Sequence, residues 1–197
     1  MYTKAGQYLA SMNHVLPPAY TEVLAVLQDR AAYRPLDEVR RVIEGELGAG
    51  ALESCFSEFS PKPVASASLA QVHKAVTRDG REVAVKVQYP GLERQVTVDM
   101  FTVRLLVNLL GRAFPGFEFS WMLPEFEDSL KLELDFRQEA RNGERVAAMF
   151  AAQPDVHVPA VLHNLTSRRL LTMEYVNGVK PTDKQGLAGL GVEPKQV

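Results

Sequence analysis

Val83-Ala84-Val85-Lys86-Val87 alternates branched apolar side chains with Ala84 and Lys86, the period-two pattern of a strand with one apolar face. The other face carries a lysine. An ammonium among β-formers is costly to hold unless it reaches water, a carboxylate or a phosphate. Two readings follow. In one, Lys86 is an exposed lysine on a half-solvated strand. In the other, it holds nucleotide phosphates and is oriented by a glutamate from a neighbouring helix. The second reading needs an acidic partner, and Glu133-Leu134-Asp135-Phe136-Arg137-Gln138-Glu139 supplies candidates.

That acidic run reads as one continuous helix. Asp135 and Glu139, four apart, stack on one face and repel by about 0.2–0.5 kcal/mol. Lys131–Asp135 and Glu133–Arg137 pairs soften the repulsion. A solvated, charge-laced helix accounts for the run; so does a functional arrangement in which Glu139 pairs with Lys86 while Glu133 and Asp135 face a cleft.

Working outward from Lys86, residues 64–76 and 82–89 read as two strands, and Arg78-Asp79-Gly80-Arg81 between them carries an Asp-Gly hairpin signal. Pro90-Gly91 ends the second strand. A helix is expected over 92–113, a turn at Phe114-Pro115-Gly116-Phe117 and helical pattern over 121–150. Residues 156–162 and 168–176 read as two further strands joined by a polar turn. The last residues, from Asn177, are rich in glycine and proline and read as loop. Upstream, Tyr20, Val23, Leu24 and Leu27 recur at helical spacing after Pro17-Pro18. A second helix starts near Pro35 and Asp37, places Val39, Val42, Ile43 and Leu47 on one side, and stops at Gly48. A third short apolar segment, 52–59, ends at Pro61. Residues 1–60 thus read as helical, residues 61–180 as a mostly antiparallel sheet with helices, and 181–197 as a trailing segment. The fold class is α+β.

Composition narrows the function. With 46% hydrophobic residues and a net charge of −2 over 197 residues, the chain is an ordinary globular one and not an electrostatic nucleic-acid binder. The lone Cys55 forms no internal disulfide or thiolate metal site, and His14, His73, His157 and His163 share no ligand spacing. No metal ligands are assigned. Residues 98–110 are apolar but interrupted by Asp99, Arg104 and Asn108, too short and too polar to span a bilayer. No signal or transit segment is read at Met1-Tyr2-Thr3-Lys4.

Ala65-Ser66-Ala67-Ser68-Leu69-Ala70-Gln71-Val72 stands before the lysine strand, where a glycine-rich phosphate loop would lie. Small side chains let backbone N–H groups approach a ligand, and the hydroxyls of Ser66 and Ser68 can donate. Alanine, unlike glycine, resists positive φ, so such a loop is stiffer. An unremarkable serine- and alanine-rich strand start is the alternative. Two other motifs carry no weight: Asp135-Phe136-Arg137 resembles a metal-binding D-F-G but lacks the glycine, and Gly186-x-x-Gly189-x-Gly191 is a reversed dinucleotide fingerprint without a preceding strand.

Four separated features stand in order: Lys4-x-Gly6-Gln7; Ala65-Ser66-Ala67-Ser68-Leu69-Ala70-Gln71-Val72-His73; Val83-Ala84-Val85-Lys86; and Glu133-x-Asp135 followed by Glu139-Ala140-x-Asn142. Together they resemble the aarF/UbiB family of atypical kinases, the ADCK or ABC1K group of eukaryotes, over essentially the whole chain. Phe117-Glu118-Phe119-Ser120-Trp121 and Leu132-Glu133-Leu134-Asp135-Phe136 suggest its ADCK1/ADCK5-like branch.

The resemblance implies a kinase-like small lobe preceded by a helical extension. Lys4, Gly6 and Gln7 would belong to that extension and gate the cleft together with the paired acids Glu133 and Asp135. Residues Ala65, Ser66, Ala67 and Ser68 would lie in the family's alanine-rich loop, which replaces the glycine-rich one and is linked to preference for ADP over ATP. Lys86 and Glu139 would be the catalytic lysine–glutamate pair. Glu174-Tyr175-Val176 would be the hinge, with backbone groups of Glu174 and Val176 on the adenine. The implied cofactor is ATP or ADP with Mg2+, and the implied setting is isoprenoid-quinone or lipid metabolism in a mitochondrion or plastid. Membrane lipid or quinone-pathway proteins are implied partners beside the nucleotide. The chain shows no catalytic-loop Asp and Asn and no D-x-G aspartate for magnesium, so it reads as a small lobe without its second lobe. Its enzymatic status stays open between an atypical kinase or ATPase segment and a catalytically dead, pseudokinase-like binding module.

Overall fold

The structure, a computed structural model, describes residues 33–114, 122–179 and 183–189. Lys4, Gly6 and Gln7, the helix expected at 20–27 and the motif at 117–121 lie outside the described residues.

Helix α1 (Leu36–Leu47) starts at Pro35, carries Asp37 and Glu38 in its first turn where the helix dipole favours negative charge, and ends at Gly48. Val39, Val42 and Ile43, at i, i+3 and i+4, form its buried stripe. Helix α2 (Ala51–Cys55) runs without a break into strand β1 (Phe56–Phe59). That strand corrects the sequence expectation, which carried helical content through residue 60. Phe56 already has extended backbone, and β1 pairs antiparallel with a later strand.

The strand expected at 64–76 is divided: β2 (Ala65–Ser66) and β3 (Ala70–Thr77) pair antiparallel across a tight loop. Next comes β4 (Glu82–Gln88), joined to β3 by the Asp-Gly turn, in which Gly80 takes φ 87°. Helix α3 (Leu92–Ala113) follows Gly91, whose φ of 73° reverses the chain out of the sheet. Helices α4 (Met122–Glu133) and α5 (Phe136–Met149) replace the single continuous helix expected through the acidic run. The break has a physical cause. Phe136 donates its N–H to the Arg168 carbonyl at 2.9 Å instead of to its own helix, and Asp135 adopts extended backbone as the cap of α5. Consequently Lys131 pairs with Asp128 and Arg137 with Asp135, not in the i,i+4 pairs anticipated.

A one-turn 3-10 segment at His163–Leu165 precedes β5 (Leu170–Glu174). No strand forms over 156–162; only Val161 makes a bridge, to Met173. Pro159 lacks the N–H that a ladder needs, which accounts for the failure. A short helix, α6 (Lys184–Gly189), closes the described chain.

The sheet runs β1-β3-β4-β5, every pair antiparallel, with β2 also on β3. Its two faces are covered differently. Val83, Val85 and Val87 point to one face and pack with Val39, Val42 and Ile43 of α1, with Leu52 and Phe56, and with Leu170. Each valine is at most 1% exposed, and burial of such a side chain contributes about 1.5–3 kcal/mol. Glu46 and Arg169, 2.6 Å apart, tie α1 to the start of β5. On the opposite face Ala70 and Leu171 pack with Phe136 and Ala140 of α5. A third cluster joins Leu92, Val96 and Met100 of α3 to Leu130 and Leu134 of α4, with Leu69 against it. Beyond that cluster α3 leaves Val98, Phe101, Leu105, Leu106 and Leu109 at least half exposed, as is Phe114 just after it. No helix among the described residues is long and apolar enough to cross a membrane.

Candidate functional site

β4 is interior to the sheet, and its register sets Lys86 opposite Val72 on β3 and Leu171 on β5. The strand's alternation turns Val85 and Val87 into the α1 core, so Lys86 projects toward α5. There Nζ lies 2.7 Å from both Oε1 and Oε2 of Glu139. Nζ also stands 4.7 Å from the centre of the Phe136 ring, one helical turn earlier on α5, a cation–π contact that backs the ammonium from below. Phe136 was not singled out from the sequence, although its i,i+3 spacing to Glu139 places both on one helix face.

The Lys86 side chain is 23% exposed and that of Glu139 45%, so the pair opens to solvent and is not sealed in the core. An ammonium has three N–H donors. Two are directed at Glu139, which leaves one for an incoming anion. A phosphate oxygen fits that vacancy chemically, since Lys acts there as a compact point charge already oriented by a carboxylate.

The loop over this face begins at Ser66. Ala65 and Ser66 pair with Val72 and Gln71, and the N–H of Ala67 donates to the Ala70 carbonyl at 2.8 Å. Ser68 and Leu69 therefore form the tip. No non-glycine residue among those described has positive φ, so the tip turns without the left-handed backbone that glycine usually supplies. Ser66 Oγ is 2.7 Å from the Tyr89 hydroxyl, which itself donates to the Ala67 carbonyl at 2.9 Å. The Ser66 hydroxyl is thus engaged within the chain. The sequence offered one clue to Tyr89: a hydroxylated aromatic at the end of the lysine strand, next to the Pro90-Gly91 exit.

Gln71 and His73, in the same motif, face the opposite side of β3 and are fully buried. The Gln71 amide brackets the backbone of Arg34, accepting from its N–H at 2.7 Å and donating to its carbonyl at 3.1 Å. Its Nε2 also lies 2.8 Å from His73 Nε2, and His73 Nδ1 lies 2.7 Å from the Ser60 carbonyl. A carbonyl only accepts, so Nδ1 carries the proton and Nε2 receives from Gln71. Burial holds the His73 imidazole below its ordinary pKa, partly countered by the Ser60 hydrogen bond.

The remaining candidates are dispersed. Asp135 caps α5: its Oδ1 accepts from the Arg137 N–H at 3.0 Å and from Arg137 Nε at 2.9 Å, while Oδ2 accepts from Nη2 at 2.8 Å. The Arg137 guanidinium hydrogen bonds hold the Asp135 carboxyl below its usual range, against a smaller opposing effect of burial. Its resemblance to a D-F-G aspartate is therefore explained by helix capping, and it sits at the helix start, not in mid-helix. Glu133 is the exposed last residue of α4. Glu174 ends β5. Its N–H donates to the Ala160 carbonyl at 2.8 Å, and its carboxylate accepts from the Ala160 N–H at 3.3 Å and meets His157 Nε2 at 2.9 Å. The Tyr175 N–H is engaged with the Glu82 carbonyl, and Val176 beyond it is 48% exposed.

A cavity of about 500 Å3 lies between α3 and α4, and Val96, Met100, Phe101, Arg104, Glu127 and Leu134 are among its lining residues; Lys86 is not. Among the described residues no group of three or more His, Cys, Asp or Glu side chains is placed to hold a metal ion.

The chain is similar to known proteins over nearly all of its length. The ABC1 atypical kinase-like domain matches residues 26–197. "Probable serine/threonine-protein kinase abkD" of Dictyostelium discoideum is 46% identical over the whole chain, which covers 28% of that relative. AarF domain-containing protein kinase 1 of Xenopus tropicalis is 38% identical over 100% of the chain and 37% of its own length. The mouse protein of that name is 42% identical over 93% of the chain and 35% of its own length. Among solved structures, that of Rv3197 with erythromycin, from Mycobacterium tuberculosis, superposes with a TM-score of 0.66 at 36% identity, covering 88% of this chain and 44% of the other. The chain thus spans little more than a third, or less, of these curated relatives. The α+β sheet, the Lys86–Glu139 pair and the match over residues 26–197 agree: the chain belongs to the ABC1 (AarF) atypical kinase-like family.

Proposed function

We propose that this chain is the nucleotide-positioning small lobe of an ABC1-type atypical kinase or ATPase. One observation carries the reading: the Lys86 ammonium, gripped by both oxygens of Glu139 and backed by Phe136, stays partly open to solvent. Lys86 holds the phosphates of ATP or ADP and Glu139 orients it. Backbone N–H groups of the Ala65–Ser68 loop cover the phosphates, and the chain around Glu174 and Val176 meets the adenine. Magnesium, when bound, neutralises phosphate charge. Its ligands are not supplied by the described residues, and nucleotide sites of this kind close between two lobes. Lys4, Gly6, Gln7, Glu133 and Asp135 gate the cleft in this reading. Support for isoprenoid-quinone or lipid metabolism in a mitochondrion or plastid, with membrane lipid or pathway proteins as partners, follows from the family resemblance alone.

The test is titration of the full-length protein containing this segment with Mg-ADP and Mg-ATP, alongside its Lys86→Ala variant. Binding by the wild type and its loss in the variant support the reading, as does weak ATP hydrolysis without phosphorylation of generic peptides. Equal binding by both proteins removes Lys86 from the site. No binding by the wild type leaves the pseudokinase-like binding module as the better description.

A further inference from the structure

Tyr89, one residue past β4, touches three parts of the molecule. Its hydroxyl contacts Ser66 and Ala67, its backbone N–H donates to the Leu69 carbonyl at 3.1 Å, and the Arg34 guanidinium lies 5.8 Å from its ring centre. The hydrogen-bond direction is fixed by chemistry. The Ala67 carbonyl can only accept, so the phenol proton goes there and Ser66 must donate to the phenol oxygen. Both hydroxyl protons are then committed to the hairpin and not to a ligand. Leu69, at the tip, is packed on the α3–α4 cluster. Arg34, whose guanidinium lies over the ring, is fixed through its backbone by Gln71. A glycine-rich loop adapts to phosphates through backbone freedom. This one is braced from beneath by a single side chain.

We propose that Tyr89 is the positioning residue of the 66–69 loop, and that its hydroxyl sets how the loop discriminates between nucleoside di- and triphosphates. The discrimination half rests on the nucleotide reading above. The phenol holds the Ala67 carbonyl and the Ser66 hydroxyl back against β4, so the N–H groups of the tip and the Ser68 hydroxyl are what the loop offers to phosphate. A longer phosphate chain has to displace the tip, and the brace resists displacement.

Full-length protein is compared as wild type, Tyr89→Phe, Ser66→Ala and the double variant. Tyr89→Phe keeps the ring over which Arg34 lies and removes only the hydroxyl. Amide hydrogen exchange across 65–70 is expected to rise about tenfold in Tyr89→Phe, the effect of losing roughly two hydrogen bonds, with 83–87 unchanged. The ratio of Mg-ADP to Mg-ATP affinity is expected to shift by about threefold or more. The double variant should resemble the Tyr89→Phe single, because both changes delete one shared contact. Unchanged exchange in Tyr89→Phe overturns the proposal. Faster exchange with an unchanged affinity ratio overturns the discrimination half and leaves a structural brace. A wild type that binds neither nucleotide overturns the nucleotide reading instead, and the exchange result still decides whether Tyr89 holds the loop.

Discussion

Lys86 Nζ stands 2.7 Å from each carboxylate oxygen of Glu139, bridging β4 and α5 across 53 residues of sequence. Because the glutamate side chain is nearly half exposed, water screens the pair, and its worth to folding is modest, about 0.2–1 kcal/mol. Its value lies in orientation. Lys86→Met and Glu139→Gln are therefore expected to be non-additive, with a coupling of about 0.5 kcal/mol in urea unfolding of this chain and a larger coupling in nucleotide affinity of the full-length protein. Additivity in both cycles would show that the contact does no work.

Asp135 accepts three hydrogen bonds from Arg137, one from its backbone, and begins α5, the helix that presents Glu139. Asp135→Ala should cost about 0.5–2 kcal/mol of stability. Asp135→Asn, which keeps the cap oxygen, should recover part of it. The folded carboxyl titrates below its ordinary value of 3.8. Its contribution is therefore complete above that value and lost as pH falls through the lower folded one. Thermal melts of wild type and Asp135→Asn should draw together as pH falls below 3.8.

What the sequence made legible was whatever a local period or a single residue type dictates. The alternation of Val83, Val85 and Val87 announced a buried face, and Gly48, Gly80 and Gly91 marked turns that do take positive φ. The Lys86–Glu139 contact was anticipated because a strand lysine needs an anion. Decisions made by tertiary partners were not legible. The acidic run looked like one helix because nothing local reveals that the Arg168 carbonyl captures the Phe136 N–H. Residues 156–162 looked like a strand because apolar content outweighed Pro159. Phe56–Phe59 looked helical in context, and only its pairing with β3 makes it a strand. Tyr89 carried only a weak signal, a hydroxylated aromatic at the end of the lysine strand, since its role depends on contacts with Ser66 and Ala67 far upstream in sequence.

Ile43, fully buried between α1 and the valines of β4, tests whether the region before the sheet folds with it. If the α1 stripe were a separate helical unit, its truncation would leave the sheet intact. The shared core predicts otherwise. Ile43→Ala is expected to destabilise the whole described unit by about 2–5 kcal/mol in one cooperative transition. A two-step denaturation curve, with the sheet amides still protected after the first step, would separate α1 from the sheet.

His73 offers a readout of the buried polar network under β3. It is 0% exposed, stacks near Phe59 at 4.9 Å between ring centres, and keeps one proton on Nδ1 for the Ser60 carbonyl. Protonating Nε2 would turn an acceptor into a donor facing the Gln71 amide, whose Nε2 is itself a donor, and would release the hold on Arg34. Burial keeps the folded imidazole below its ordinary value of 6.5. The unfolded chain thus binds a proton more readily than the folded one. Stability from this group is complete above about pH 6.5 and falls as pH drops toward the folded value, by at most about 1.4 kcal/mol per pH unit. Urea unfolding at pH 7.5, 6.5 and 5.5 should show that decline in the wild type. A His73→Asn variant should be less stable at pH 7.5 and show a flatter profile across the same range; an equally steep decline in the variant would assign the pH dependence to other groups.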